Sequence, residues 1–303
     1  MTKFSPEGYN TNQAPITLAN LNDALEKCKI LEAKAVMCDS EHNLIVDLGG
    51  NIKGIIPRDE GAIGIAEGQV RDIALISRVN KPVCFTVTDI VHSEGKVTAM
   101  LSRREAQQIC MQEYISSLSA GDIIKARVTH LESFGAFCDI GCGIVALMPI
   151  DAISVSRISH PADRFSPGDD IYAVIRAVDE KGRISLSHRE LLGTWQENAD
   201  RFKQGQTVSG IIRTVEDYGV FVELTPNLAG LAELREGVCP GQQASVYIKS
   251  IIPEKMKIKL IIIDSFDADY AQPPVEYYFE GDHIDNWQYS PDCSRKQIAT
   301  MFE

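Results

Sequence analysis

A chain of 303 residues, 44% hydrophobic and 24% charged, can bury substantial cores beneath an ordinary polar surface, and its length suggests two or three domains. A formal net charge of −12 argues against a protein held to duplex nucleic acid by phosphate attraction alone. The opening MTKFSPEGYNTNQ is polar and no apolar run approaches the roughly 20 residues of a membrane helix, so the chain reads as cytoplasmic, with no membrane partner.

The first 26 residues read as an N-terminal helical extension. TLANLNDALEKCKI (17–30) has helical spacing, with Thr17 as a cap. From Lys27 to Ala106 runs the faintest of three copies of one pattern, with AKAVMCDSEHNLIVDLGG near its start and GKVTAMLSRREA at its close. SRREAQQICMQEYISSL (102–118) then turns helical and supplies a linker helix over 107–119. The middle copy, 120–191, opens with GDIIKARVTHLESFGAFCDIG and closes with VDEKGRISLSHREL. SHRELLGTWQENADRF (187–202) is again helical in spacing and places a second linker helix over 192–203. The third copy, 204–264, opens with GQTVSGIIRTVEDYGVFVEL and closes with KIKLIIID.

An acidic, aromatic tail over 265–303 completes the chain; its eight acidic and two basic residues carry a net −6, half the total. Within it, YYFEGDHIDNWQYS reads as a hairpin and Ser290-Pro291 as the start of a last helix. Its aromatics, Tyr270, Tyr277, Tyr278, Phe279, Trp287 and Tyr289, are expected to pack back on the third copy.

Inside each copy the pattern is that of strands. Alternation in KARVTH puts Ala126 and Val128 on one face and Lys125, Arg127 and Thr129 on the other. After SFG, Ala136, Cys138 and Ile140 share the inner face, and Phe137 and Asp139 the outer one. In the third copy Val220, Val222 and Leu224 point inward, Phe221 and Glu223 outward. Short strands with Gly and Pro between them, in under 80 residues, indicate a small closed barrel.

Two echoing stretches carry the functional signal. SFGAFCDI (133–140) and DYGVFVEL (217–224) place an aromatic before a glycine and a Phe two residues after it, at a constant offset of 84. Phe137 and Phe221 thus stand on the polar face, where each forgoes about 1.5–3 kcal/mol of burial unless something covers it. Small barrels of the oligonucleotide-binding kind use such rings to stack bases, at about 1–3 kcal/mol per base. Packing against a linker helix or a neighbouring barrel is the other explanation, and periodicity leaves both open.

The middle copy resembles the RNA-binding domain of the ribosomal protein S-one family over some 70 residues, through GDIIKARVTHLESFGAFCDIG, SRISHP and VDEKGRISLSHREL in that order. The resemblance implies a mainly β fold: three tandem five-stranded OB-fold barrels joined by short helices, with a small C-terminal α/β tail. It also implies RNA contact by Phe134, Phe137, Asp179 and Arg183. Where the family has a further His on the third strand, this chain has Pro149.

The third copy matches in part. Tyr218 and Phe221 fill the aromatic positions and Lys257 the Arg position, whereas Glu233 replaces the His and Pro253 the Asp. The first copy has His42 and Ile45 at the aromatic positions and Pro57 at the His position, which implies a structural or protein-docking barrel. Lys125 and Arg127, with Arg183, are expected to gather on the aromatic face of the middle copy, and Arg213 and Lys257 on that of the third. Arg157 and His160, in SRISHP, are expected near RNA, with stabilisation of the loop as the alternative role for His160.

Chemistry is scarce. The six histidines show no metal spacing, and no GxxxxGK[ST] loop occurs. Eight cysteines (28, 38, 84, 110, 138, 142, 239 and 293) are scattered without a CxxC pair, so buried free thiols are expected, with a disulfide framework or a metal site as alternatives. The chain reads as a binding protein, with no enzyme activity, cofactor or metal expected. Its expected partner is single-stranded RNA, messenger RNA in translation, with docking on the small ribosomal subunit. The competing reading is a regulator of translation or RNA decay whose barrels mainly bind protein.

Overall fold

Thr17 caps helix α1 (Leu18–Lys27) through a reciprocal pair of bonds with Asn20, and Cys28 ends the helix in the left-handed region at φ 48°. The computed structural model describes residues 4–9, 16–50, 52–93, 96–179, 182–268 and 274–302. Contacts divide the chain into two compact units, the first being Met1–Leu118 with Lys125–Arg127 and Asp139–Val145.

The first unit holds a closed barrel of β1 (Leu31–Cys38), β2 (Leu44–Asp47), β3 (Ile52–Ile56), β4 (Pro82–Ser93) and β5 (Lys96–Ser102), in ring order β1-β2-β3-β5-β4. β3 and β5 run parallel and the other neighbours antiparallel. A short helix, α2 (Ile73–Ile76), lies between β3 and β4. Leu44, Val46, Ile56, Phe85 and Leu101 fill the barrel, and Leu21 and Ala24 of α1 join them. Alternate residues of each strand supply this core, as a half-buried sheet requires. Ser102 then caps α3 (Arg103–Glu113) by accepting from Glu105 N at 2.8 Å.

The second barrel consists of β6 (Ile123–Glu132), β7 (Gly135–Gly141), β8 (Ile144–Pro149), β9 (Asp170–Val178) and β10 (Ile184–Ser187), and it closes in the same ring order. The expected inner residues Ala126, Val128, Ala136, Cys138 and Ile140 are all buried. The stretch after β10 is not one helix. Gly193, at φ 82°, divides a 3-10 turn at Arg189–Leu192 from α4 (Trp195–Ala199), which Thr194 caps. The third barrel follows as β11 (Thr207–Glu216), β12 (Gly219–Thr225), β13 (Leu228–Ala232), β14 (Gln243–Ile252) and β15 (Lys257–Phe266). Trp195 of α4 belongs to its core with Val220, Val222, Val246 and Leu260.

The tail departs from expectation. No helix follows Ser290 among the described residues. Pro291–Ser294 instead forms a turn, Ser290 Oγ accepts from Ile298 N at 2.8 Å, and β16 (Asn286–Gln288) pairs with β17 (Ala299–Met301). The hairpin therefore closes between those strands rather than within YYFEGDHIDNWQYS. Trp287 and Tyr289 do pack into the core of the third barrel. Tyr277 and Phe279 do not: they meet Tyr172 of the second barrel edge-on, each with centroids 5.3 Å apart. Tyr278 lies against Gly193 and takes a hydrogen bond from Arg201 at 3.2 Å, and Tyr270 is outside the described residues. Of the cysteines, Cys84, Cys110, Cys138 and Cys142 are buried free thiols as expected, but Cys28, Cys239 and Cys293 are exposed.

Candidate nucleic-acid interface

Each aromatic pair stands where two strands meet at a tight turn, and the glycine between the rings is dictated by the next strand. A Cβ on Gly135 would sit 2.4 Å from Met148 O of β8, and one on Gly219 would sit 2.5 Å from Ala232 O of β13. No side chain fits there, so the turn brings the two rings of each pair together on the outer surface.

The two pairs share one geometry. Phe134 and Phe137 meet edge to face, centroids 6.0 Å apart and planes at 90°; Tyr218 and Phe221 do so at 6.0 Å and 88°. The outer rings are 54% and 69% exposed. An edge-to-face pair keeps its rings in contact while leaving a π-face of the outer one open, which is what a stacked base requires. Among its described residues the first barrel has no such pair: His42 occupies a turn at φ 64° and Ile45 is buried.

Two residues absent from the sequence reading belong beside the rings. His130 stacks on Phe137 with centroids 6.3 Å apart and planes 24° apart, and its Nε2 lies 2.7 Å from Glu132. Strict alternation would turn His130 inward with Val128, yet it is exposed. In the third barrel the matching position carries a β-bulge, a register shift between Ile212 and Thr214 that sets Thr214 opposite Phe221. Lys259 is the second. Phe221 pairs with Leu231, and Leu231 with Lys259, so Lys259 lies in the same row across three strands. Only the crossover pairing of β13 with β15 shows this; linear sequence does not.

The expected basic residues are placed variously. Arg183 Nε donates to Asp179 Oδ2 at 2.7 Å across the β9–β10 hairpin, with most of the guanidinium exposed. Arg157, Lys257 and Lys259 are exposed. Lys125 and Arg127 are engaged by the N-terminal segment instead: Lys125 Nζ stands 4.9 Å over the Tyr9 ring, and Arg127 donates to Gly8 O. Arg213 is bound by carboxylates, Glu223 at 2.7 Å and Asp163 at 3.3 Å. Glu223, read as outward, is buried because Arg164 also reaches it, at 2.5 Å. Asp139, likewise read as outward, is buried and accepts from Glu7 N at 2.8 Å.

His160 caps a short 3-10 turn, its Nδ1 accepting from Ala162 N at 3.1 Å. That is the loop-stabilising role. The loop itself is docked on the turn between β12 and β13, with Val155 N donating to Asn227 Oδ1 at 3.0 Å and Ser156 N to Pro226 O at 3.2 Å.

Five strands closed in this ring order make the oligonucleotide-binding barrel, and residues 117–189 match the family model of the S1 RNA binding domain. The matched segment spans the second barrel. It is similar to small ribosomal subunit protein bS1: 33% identical over 232 residues to that of Leuconostoc lactis, covering 72% of this chain and 52% of the relative. To that of Staphylococcus haemolyticus (strain JCSC1435) it is 28% identical over 298 residues, covering 93% and 71%. The chain thus spans about half the length of the Leuconostoc relative. A solved multidomain protein with nucleic acid binding domains from Streptococcus pneumoniae TIGR4 covers 82% of this chain at 17% identity, with a TM-score of 0.26, too low to bear on function.

Proposed function

We propose that this chain binds single-stranded RNA, with Phe134 and Phe137 as the principal stacking platform and Tyr218 and Phe221 as a second one. The observation that carries this reading is the repeated ring pair, perpendicular and about half or more exposed at its outer ring, in two barrels. Nothing in the barrels' own packing calls for an exposed Phe on a polar face, and a stacked base returns about 1–3 kcal/mol per ring. Around the rings, Asp179 and Arg183 serve the middle barrel and Lys257 and Lys259 the third, with Arg157 on the loop between them.

The likeness to proteins named small ribosomal subunit protein bS1 supports a reading in which this binding serves translation. We infer messenger RNA as the ligand, the small ribosomal subunit as the assembly on which the chain works, and the cytoplasm as its compartment. No helix among the described residues is long and apolar enough to cross a membrane. The first barrel, lacking a ring pair, serves as a docking or structural barrel in this reading.

Stacking platforms need splayed bases, and duplex RNA keeps its bases stacked. A single strand is therefore expected to bind at least roughly tenfold better than the same strand annealed to its complement. Equal affinity would identify phosphate attraction as the main force and would refute the stacking mechanism.

A further inference from the structure

Three thiols of the first unit converge beneath the N-terminal segment. Cys84 on β4, Cys110 on α3 and Cys142 in the turn after β7 are 6%, 0% and 1% exposed, and Cys142 is close enough to both of the others to interact with them electrostatically. The backbone brings them together as well. A Cβ on Gly141 would lie 3.0 Å from Cys110 Sγ. Cys84 N donates to Glu7 Oε1 at 3.0 Å, and Cys142 N donates to Ser5 O at 3.0 Å. Cys142 also adopts φ 50°, a conformation that costs a non-glycine residue energy. RNA binding uses none of this.

The surroundings give the three sulfurs different characters. Interaction with the Cys110 and Cys84 thiols, with help from the Arg103 guanidinium, holds the Cys142 thiol below the usual thiol range. Hydrogen bonding to Cys142, together with burial, pushes Cys84 and Cys110 up. A sulfur favoured as thiolate beside two held as thiols is the arrangement of an attacking sulfur with resolving partners. Residues 4–9 close over it. Glu7 is held by Arg103 at 2.7 and 2.9 Å and by Arg78 at 3.3 Å, and Phe4 stacks on Tyr114 at 5.8 Å.

We propose that Cys84, Cys110 and Cys142 form a peroxide-sensitive thiol centre in which Cys142 closes a reversible disulfide with Cys110 or Cys84. The Cys142 sulfur attacks one oxygen of hydrogen peroxide, the O–O bond breaks, and the departing hydroxide takes a proton to leave as water. Cys142 is then a sulfenic acid, oxidised by two electrons while the peroxide is reduced by two. The neighbouring sulfur attacks the Cys142 sulfur, the S–O bond breaks, and the thiol's proton leaves with hydroxide as a second water. Access comes from transient lifting of residues 4–9, which the Glu7 carboxylate and the Phe4 ring hold in place.

The test is peptide mapping of the full chain after peroxide treatment and alkylation without reduction. The expected product is a disulfide joining Cys142 to Cys110 or Cys84 that dithiothreitol reverses. Cys110→Ser should direct it wholly to Cys84. Glu7→Gln, which loosens the covering segment, should form it roughly tenfold faster; an unchanged rate would overturn the gating role of that segment. A Cys84–Cys110 disulfide would overturn the assignment of Cys142. Retention of all three thiols under peroxide that oxidises the exposed Cys239 and Cys293 would overturn the centre altogether.

Discussion

His188 and Phe134 show what a single residue's surroundings decide. Both lie in stretches resembling the S-one pattern, yet one is sealed and the other open. His188 Nδ1 donates to Ile153 O at 3.2 Å, its Nε2 faces the Tyr277 hydroxyl at 3.4 Å, and the Phe165 ring meets it edge-on at 5.1 Å. Burial brings its pKa down from 6.5 to about 4, so the folded protein keeps it neutral. Between those values the unfolded chain takes up a proton that the folded chain refuses, and stability falls as pH drops through that window. The effect is about 3 kcal/mol for this fully buried group. Denaturant unfolding at several pH values should show that loss in the wild type. His188→Asn, whatever its absolute stability, should lack this part of the slope; an identical pH dependence would contradict the account. The sealing of His188 was illegible in sequence, because part of its cover comes from Tyr277, 89 residues away.

At the scale of elements, alternation located the strands and their inner faces well. Ala126, Val128, Ala136, Cys138, Val220 and Val222 are all where period two puts them. It failed where a strand is bulged or covered. His130 is turned out against the alternation, and Asp139 and Glu223 are buried by residues arriving from distant parts of the chain, Glu7 in one case and Arg164 in the other. The tail teaches the same lesson. Its composition reads as an acidic appendage, but Trp287 and Tyr289 complete the third barrel's core, and the Tyr289 hydroxyl donates to Asn227 O at 2.5 Å. Two such aromatics are worth about 1.5–3 kcal/mol each in burial, a large part of the 5–15 kcal/mol typical of a domain. Truncation after Asp264 should therefore lower the unfolding midpoint markedly and broaden the transition. An unchanged thermal melt would show the tail to be the appendage its charge suggests.

For the whole molecule, three repeats of one barrel were legible because the pattern recurs in register, at an offset of 84 between the second and third copies. The ring pairs were legible for the same reason, since a glycine flanked by aromatics is short-range information. The basic residues were not. Lys125 and Arg127 are engaged by Gly8 and Tyr9, Arg213 is bound by carboxylates, and Lys259 joins the row of Phe221 only through strand pairing. With a net −12 and several of its cations so engaged, the proposed RNA binding rests mainly on stacking. The most direct test is the affinity of Phe134→Ala/Phe137→Ala for single-stranded RNA, set against His42→Ala in the first barrel, Ile45 being unsuitable because it is buried. Two lost stacks should cost roughly 2–4 kcal/mol, while His42→Ala should leave binding unchanged. Undiminished affinity in the double variant, or an equal loss from His42→Ala, would contradict the assignment of the middle barrel as the principal site.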